Sequence, residues 1–218
     1  MTMNRFDSAA PNDSHLLTQF EETRYQAAFA ELVRRHGPMV LATARRVLRR
    51  EEDTEDAFQA TMLALAKAAG TLRKKAVVAA WLHKTAYTCA IGIQRANARW
   101  RTKAERLAQQ QSKTQDSHTF DDPREVVANE EQLDILDEEL AGLSEDLRDA
   151  LVLCLLEGCP QRKAAKQLGI SPSTVADRLE KGRTVLNKRL IRRGAAYTLT
   201  GIFAQDAALI KASAAVPE

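Results

Sequence analysis

The chain has 218 residues, of which 44% are hydrophobic and 28% charged, and its formal net charge at pH 7 is +3. This length and composition allow one large core or two small ones, and they exclude a fibrous or wholly disordered protein. No apolar run is long enough to cross a bilayer and no secretory signal peptide is present, so we expect a cytoplasmic protein without a membrane partner.

Cysteine and histidine give no sign of catalysis or metal binding. The three cysteines, Cys89, Cys154 and Cys159, lack metal-ligand spacing, and we expect small core residues in a reducing compartment. The four histidines are expected not to cluster with carboxylates or cysteines: His15, His36, His83 and His118. No glycine-rich phosphate loop is present either, so we expect no enzyme, cofactor or metal.

The first part of the chain is predicted to be helical. Residues 1–13 are polar and lack periodicity, which is typical of a disordered terminus. Residues 14–107 have apolar residues at a period of 3.6, which predicts a first helical domain. Within it, Ser14 is expected to cap a short helix, and Gly37-Pro38 is expected to break a longer one.

A helix is predicted from Asp53 or Thr54 to about Gly70, with two distinct faces. One face is a buried apolar stripe, and the other places a leucine among polar residues: Asp56, Gln59, Leu63 and Lys67. An apolar centre with a polar rim favours a protein-docking surface. The alternative is an ordinary solvated face with one stray leucine.

The next predicted helix, from Ala79 to about Leu107, has a core face made of Leu82, Ala86, Cys89, Ile93 and Trp100. Its opposite face interleaves cations with an aromatic and small groups: Lys84, Tyr87, Thr88, Ile91, Arg95 and Arg99. Such a face suits a stacked or melted nucleic-acid strand. The preceding basic loop, Arg73-Lys74-Lys75, adds charge where a flipped base could be held. Trp81 is either a core residue or a stacking platform.

Charge is strongly segregated after this helix. Residues 94–113 hold six lysines and arginines against one acid, whereas residues 116–146 hold twelve acids and one arginine. Residues 108–125 are rich in Gln, Ser, Thr and Asp, which predicts a flexible acidic linker that stays off DNA. For residues 130–139, a solvated acidic helix face is the alternative.

Residues 126–194 are predicted to form a second helical domain that contains a helix-turn-helix. A helix from Gln161 to Leu168 meets a turn at Gly169, and Ser171 and Pro172 then provide the N-cap and first position of another helix. From Gln161 to Arg193 there are ten lysines and arginines against two acids, a net charge of +8. This charge indicates phosphate binding; the alternative is a two-helix corner with a solvated basic face.

The last helix has an apolar stripe, formed by Val175, Leu179, Gly182, Leu186 and Leu190. Because the N-terminal turns of a recognition helix reach base edges, the candidate base readers are Ser173, Thr174, Asp177, Arg178 and Lys181. Arg183 flanks this face, and the candidate phosphate clamps are Lys188, Arg189, Arg192 and Arg193. Residues 195–218 are a C-terminal extension that either adds a helix to this domain or begins something cut away.

Three motifs together resemble a known family. Asp53, Asp56 and Gln59 match a clamp-binding pattern, with Ala60 and Met62 departing from it. Trp81-Leu82 begins a block similar to the one that precedes −10 contacts, with Thr88 in place of an asparagine. Leu143 to Arg148 resembles the opening of region 4, with Ser144 in place of proline. Residues 14–193 thus resemble bacterial RNA polymerase sigma factors of the extracytoplasmic-function group.

The resemblance implies two small helical domains joined by a flexible linker, with three sets of contacts. Core RNA polymerase is then bound through its β′ clamp and β flap, and the clamp contacts are Asp53, Asp56, Gln59 and Leu63. The −10 DNA contacts are Arg73, Lys74, Lys75, Lys84, Tyr87, Thr88, Arg95 and Arg99. The −35 DNA contacts are Arg162, Lys163, Ser173, Thr174, Asp177, Arg178, Lys181, Arg183 and Lys188. Arg162 and Lys163 replace a commoner pair of glutamates, which adds positive charge beside DNA.

Two other classes of protein remain. An autonomous helix-turn-helix repressor or activator does not explain the Asp56/Gln59/Leu63 face, and it needs a dimerisation element for which no heptad seam is present. We therefore expect a monomer when free. The third class is an enzyme or a pure interaction protein. The sequence leaves open whether an anti-sigma factor is a further partner.

Overall fold

A computed structural model describes residues 11–23, 25–72, 77–111 and 135–194, which form helices and no strand within these ranges. The all-α prediction is confirmed. The helices are α1 (Asp13–Thr23), α2 (Gln26–Val47), α3 (Glu51–Leu72), α4 (Val78–Gln111), α5 (135–141), α6 (Glu145–Leu151), α7 (Gln161–Leu168) and α8 (Pro172–Arg192). A π-helical turn, Val152–Leu156, continues α6. None of the described helices has the length and apolarity needed to cross a membrane.

Several predictions lie outside the described residues. They are the N-terminal segment up to residue 10, the basic loop of Arg73, Lys74 and Lys75, most of the linker with His118, the start of the second domain up to residue 134, and the C-terminal extension.

The helices form two groups around one apolar core. In the first group, α2, α3 and α4 pack against one another and α1 lies across α2 and α3. In the second group, α8 packs on α6 and α7. Buried leucines of both groups belong to one continuous cluster, including Leu17, Leu65, Leu82, Leu136, Leu151 and Leu186. The two groups are therefore in direct contact.

The predicted break at Gly37-Pro38 is wrong, because α2 runs unbroken through Pro38. A proline inside a helix removes one hydrogen bond and costs about 3 kcal/mol. Buried residues on both sides of it, from Leu32 to Val47, form one continuous inner face of α2. Packing of this face offsets the local cost, as tertiary contacts commonly override propensity.

Helix ends also differ from the predicted ones. Asn12, not Ser14, caps α1, since its side-chain Oδ1 accepts a hydrogen bond from the backbone N–H of His15 at 2.8 Å. The helix predicted to end near Gly70 continues to Leu72. Ser144 precedes α6 as predicted, but its side chain makes no capping hydrogen bond.

Two histidines contradict the prediction that none lies among carboxylates. His36 is buried between Asp13 of α1, at 2.9 Å, and Glu157 after the π-helical turn, at 3.1 Å. His83 of α4 is fully buried, and its Nε2 lies 2.9 Å from Asp137 of α5. Their partners lie up to 121 positions away in the chain, so no local pattern revealed these contacts.

The His36 contact predicts a pH dependence of stability. Burial alone lowers the pKa of His36, but hydrogen bonds and charge from Asp13 and Glu157 outweigh burial and raise the pKa to about 9. Between pH 6.5 and 9 the folded chain keeps a proton that the unfolded chain has released. The contacts of protonated His36 therefore add on the order of 3 kcal/mol to the free energy of unfolding below pH 6.5. This contribution is lost as pH rises through 9.

Urea unfolding followed by circular dichroism at several pH values measures this effect. His36→Gln should remove the fall in the free energy of unfolding between pH 6.5 and 9. His15→Gln, at an exposed position of α1, should leave that fall unchanged. Stability is compared only up to pH 9. Burial raises the pKa of the Cys154 and Cys159 thiols, and their titration changes the free energy of unfolding above that pH. An equal slope in both variants would contradict the assignment to His36.

Two glycines in helices have opposite surroundings and predict opposite effects. A Cβ atom on Gly182 of α8 would lie 2.9 Å from Cδ1 of Leu151, a fully buried side chain of α6. Gly182→Ala should lower the free energy of unfolding by about 1 kcal/mol, because overpacking of about 1–3 kcal/mol exceeds the helical gain of about 0.5–1 kcal/mol. At Gly92 of α4, no described atom outside the helix backbone and chain neighbours lies within 4 Å of such a Cβ.

Gly92→Ala is therefore the matched control, and it should raise the free energy of unfolding by about 0.5–1 kcal/mol. Urea unfolding of both variants checks the pair. A gain in stability from Gly182→Ala would show that Leu151 can move aside.

Candidate protein and nucleic-acid interfaces

The outer face of α3 carries an exposed leucine in a polar setting. Leu63 is 57% exposed, and Asp56, Gln59 and Lys67 beside it are exposed as well. The opposite face of α3 holds buried residues, including Ala57, Met62 and Leu65. An exposed leucine bordered by polar side chains has the composition of a small protein contact, with an apolar centre and a polar rim.

Asp53 does not share this face. Its carboxylate accepts a hydrogen bond from the side-chain amide of Asn97 in α4 at 2.9 Å, and Asp53 is only partly exposed. The structure thus gives Asp53 an internal partner that joins α3 to α4. Of the four predicted polymerase contacts, Asp56, Gln59 and Leu63 are brought together on the surface.

The solvent face of α4 carries the predicted cations. Lys84, Arg95 and Arg99 are exposed, and Thr88 is exposed with its hydroxyl donating to the backbone carbonyl of Lys84 at 2.8 Å. Tyr87 is half-buried against an apolar cluster of α2, α3 and α4. Ile91, predicted on the same open face, packs against that cluster too.

Trp100 was predicted to face the core and is instead 68% exposed. The apolar cluster that supports this half of α4 ends at Ile93, and Asn97 makes the last described side-chain contact to α3. Beyond that point α4 has no described helix to pack on. The ammonium of Lys103 lies 5.3 Å from the centre of the Trp100 ring, a cation–π arrangement. The density of cations around Trp100 in the sequence was a signal of this exposure.

The helix-turn-helix is formed as predicted by α7 and α8. Gly169 ends α7 with a φ of 65°, the left-handed conformation that glycine adopts without strain. The side chain of Ser171 accepts a hydrogen bond from the backbone N–H of Thr174, and Pro172 occupies the first turn. The predicted apolar stripe of α8 is buried in full: Val175, Leu179, Gly182, Leu186 and Leu190.

Around the start of α8 the polar side chains are exposed or half-buried. The hydroxyls of Ser173 and Thr174 lie 2.7 and 2.8 Å from that of Ser171, so they belong to the cap. Arg178 pairs with Asp146 of α6 at 2.8 Å. The other predicted DNA contacts are exposed: Arg162, Lys163, Asp177, Lys181, Arg183 and Lys188.

Two predicted phosphate clamps have acidic partners in the structure. Arg189 lies 3.3 Å from Glu139, and Arg193 pairs with Glu138 and Glu139. These contacts fasten the C-terminal end of α8 to α5. Glu138 and Glu139 thus act as partners for arginines of the same helical group.

The described residues show no cluster of histidine, cysteine and acidic side chains suited to a metal ion. The cysteines are free and half-buried.

The chain is similar to proteins of known families. It matches the family models Sigma-70 region 2 over residues 32–103 and Sigma-70, region 4 over residues 133–186. It is 28% identical over 176 residues to the ECF RNA polymerase sigma factor SigM of Mycobacterium tuberculosis, covering 80% of this chain and 81% of the relative. It is 28% identical over 192 residues to the ECF RNA polymerase sigma factor SigE of Mycolicibacterium smegmatis, covering 85% and 72%.

Two solved structures align with most of the chain. One is CnrH in complex with the cytosolic domain of CnrY, at 23% identity and a TM-score of 0.40, covering 83% of this chain and 97% of that one. The other is the sigma factor RpoE in complex with the anti-sigma factor NepR from Bartonella quintana, at 18% identity and a TM-score of 0.33, covering 74% and 96%.

Proposed function

Because the chain belongs to the sigma-70 family, as a sigma factor of the extracytoplasmic-function type, we propose that it binds core RNA polymerase and directs initiation at promoters with particular −10 and −35 elements. Residues 14–107 and 126–194 are the proposed boundaries of its two domains. It acts without catalysis of its own, as a monomer when free, in the cytoplasm where the polymerase works.

The observation that carries this proposal is the presence of three different surfaces on one short chain. The α3 face around Leu63 suits a protein, the cationic face of α4 suits a nucleic-acid strand, and the helix-turn-helix suits duplex DNA. An autonomous DNA-binding regulator has no use for the first two surfaces. A promoter-specificity subunit uses all three at once.

The proposed contacts follow these surfaces. The β′ clamp meets Asp56, Gln59 and Leu63, and the −10 element meets Lys84, Thr88, Arg95 and Arg99. The −35 element meets the start of α8 and the exposed cations of α7, while the β flap contacts the second helical group. Each contact is weak alone, but the first one raises the effective concentration for the second. An anti-sigma factor that covers these surfaces is a further proposed partner.

Run-off transcription with purified bacterial core polymerase on a promoter library tests the proposal. Initiation at a shared −35/−10 motif only when this protein is present is the expected result. Failure to support initiation, combined with nanomolar binding to duplex DNA by the protein alone, would replace it with an autonomous regulator.

A further inference from the structure

A cleft of about 690 Å³ lies beside the start of α7. Its volume is within the range of small-molecule sites, which is about 300–1,000 Å³. One wall comes from the start of α1 and from α2, and the other comes from α7 and the turn that precedes it. The surfaces of α3 and α4 do not border this cleft, so the proposed function leaves most of its lining without a role.

The lining of the cleft carries more positive than negative charge. Burial lowers the pKa of His36, but its two carboxylate neighbours outweigh burial and raise that pKa to about 9, so His36 is a cation at neutral pH. The lining then has five cations against three acids: Arg34, Arg35, His36, Lys163 and Lys166 against Asp13, Glu31 and Glu157. Such a surplus in a concave site favours an anion.

The three acids of the cleft already have cationic partners. Glu31 accepts hydrogen bonds from both arginines of its wall, each at 2.7 Å. Asp13 and Glu157 lie 2.9 and 3.1 Å from the two ring nitrogens of His36. These pairs fix the wall that α1 and α2 form, and they leave no acid of the lining for the cations of α7.

Two lysines on the facing wall have no such partner. Lys163 and Lys166 are exposed, and neither pairs with an acid among the described residues. Residues three positions apart are neighbours on the surface of a helix, so the two ammonium groups belong to one face of α7. The first turn of this helix contains no acid, and its N-cap residue, Pro160, provides no side-chain hydrogen bond. The positive end of the helix dipole therefore adds to the charge of the lysines.

The opposite wall offers one further donor. The side chain of Arg34 is 73% exposed, and it uses Nε and Nη2 to bind Glu31. No hydrogen bond from its Nη1 is described, and a guanidinium has five N–H donors. An anion in the cleft can thus receive hydrogen bonds from both walls.

We infer that this cleft binds a small molecule that carries two or more adjacent phosphates, held by Lys163 and Lys166 on one wall and by Arg34 on the other. Lysine and arginine both donate strong, charge-assisted hydrogen bonds to phosphate oxygens. Adjacent phosphates supply negative charge to neighbouring lysines at the same time, whereas a single phosphate supplies less charge and fewer acceptors. The backbone of DNA offers only single phosphates, so the preferred ligand is a small molecule.

Isothermal titration calorimetry of the free, full-length protein with inorganic pyrophosphate, at constant ionic strength, tests this inference. We expect one-to-one binding with a dissociation constant of about 1 mM or below, and binding of orthophosphate that is at least about tenfold weaker. Lys163→Gln combined with Lys166→Gln should weaken pyrophosphate binding by at least about tenfold. Both side chains are exposed, so the fold should be kept, and circular dichroism verifies it.

Lys181→Gln combined with Lys188→Gln is the matched control. Both are exposed lysines of α8 outside the cleft, and the net charge changes by the same amount, so pyrophosphate should bind as it does to the wild type. Equal losses in the two double variants would overturn the site, because general charge attraction would then explain the binding. Equal affinity for orthophosphate, or no saturable binding in the millimolar range, would overturn it as well. These measurements need neither polymerase nor promoter, so their outcome is independent of the proposed function.

Discussion

Replacing Asp56 and Gln59 together by alanine is expected to weaken binding to core RNA polymerase by about 100-fold or more. Both side chains border the exposed Leu63 on α3, and residues that act as hot spots of an interface each contribute about 2 kcal/mol or more. Exposed positions that make no internal contact change stability by less than about 0.5 kcal/mol. Pull-down of core polymerase with the purified variant measures the loss, and circular dichroism verifies the fold.

Glu51→Ala is the control for this prediction. Glu51 is an exposed acid in the first turn of the same helix, but it is directed toward Arg45 of α2, with which it pairs at 2.7 Å. Removing such an exposed pair changes stability little, and polymerase binding should stay at the wild-type level. Equal losses in the two variants would mean that net charge, rather than the face around Leu63, determines binding.

Reversing the charge of Arg178 and Lys181 to glutamate is expected to reduce −35-dependent transcription by about 100-fold while sparing polymerase binding. Both residues lie in the N-terminal half of α8, where a recognition helix meets the major groove, and each good base contact contributes about 1–3 kcal/mol. The α3 face is on the other helical group and should bind polymerase as before. Transcription on promoters with and without the −35 element, next to a pull-down, separates the two effects.

Asp146→Ala tests whether Arg178 acts on DNA or within the fold. Asp146 is 71% exposed and pairs with Arg178, so this change frees the guanidinium without removing it. Transcription should stay level or rise. A loss as deep as that of the double reversal would assign Arg178 a structural role, and joint loss of polymerase and promoter binding in the double variant would contradict the division of labour.

The helix-turn-helix could be predicted because its signals are local. Gly169, Ser171 and Pro172 each determine the conformation of their own turn, and the apolar stripe of α8 is set by spacing along one helix. The exposed face of α3 was predictable for the same reason. The partner of this face was assigned from the family resemblance, because an exposed leucine alone does not indicate which protein binds it.

Features that depend on distant residues were not predictable. From the sequence alone, Pro38 predicts a helix break, because the packing on both sides of it is not known. Trp100 predicts a core residue, because only the structure shows that α4 extends past its neighbours. Asp137 sits in an acidic stretch that suggested solvent exposure. Its burial depends on Arg46 and His83, which lie 91 and 54 positions earlier in the chain.

The π-helical turn at Val152–Leu156 makes the chain sensitive to single-residue insertions and deletions. Its wider winding is seen in the hydrogen bond from the N–H of Glu157 to the carbonyl of Val152, five residues earlier, at 3.0 Å. A π-turn accommodates one residue more than an α-helical turn of the same height. Deleting one residue there restores ordinary winding and rotates the residues after the turn by about 100°. Glu157 then points away from His36, and this contact between the two helical groups is lost.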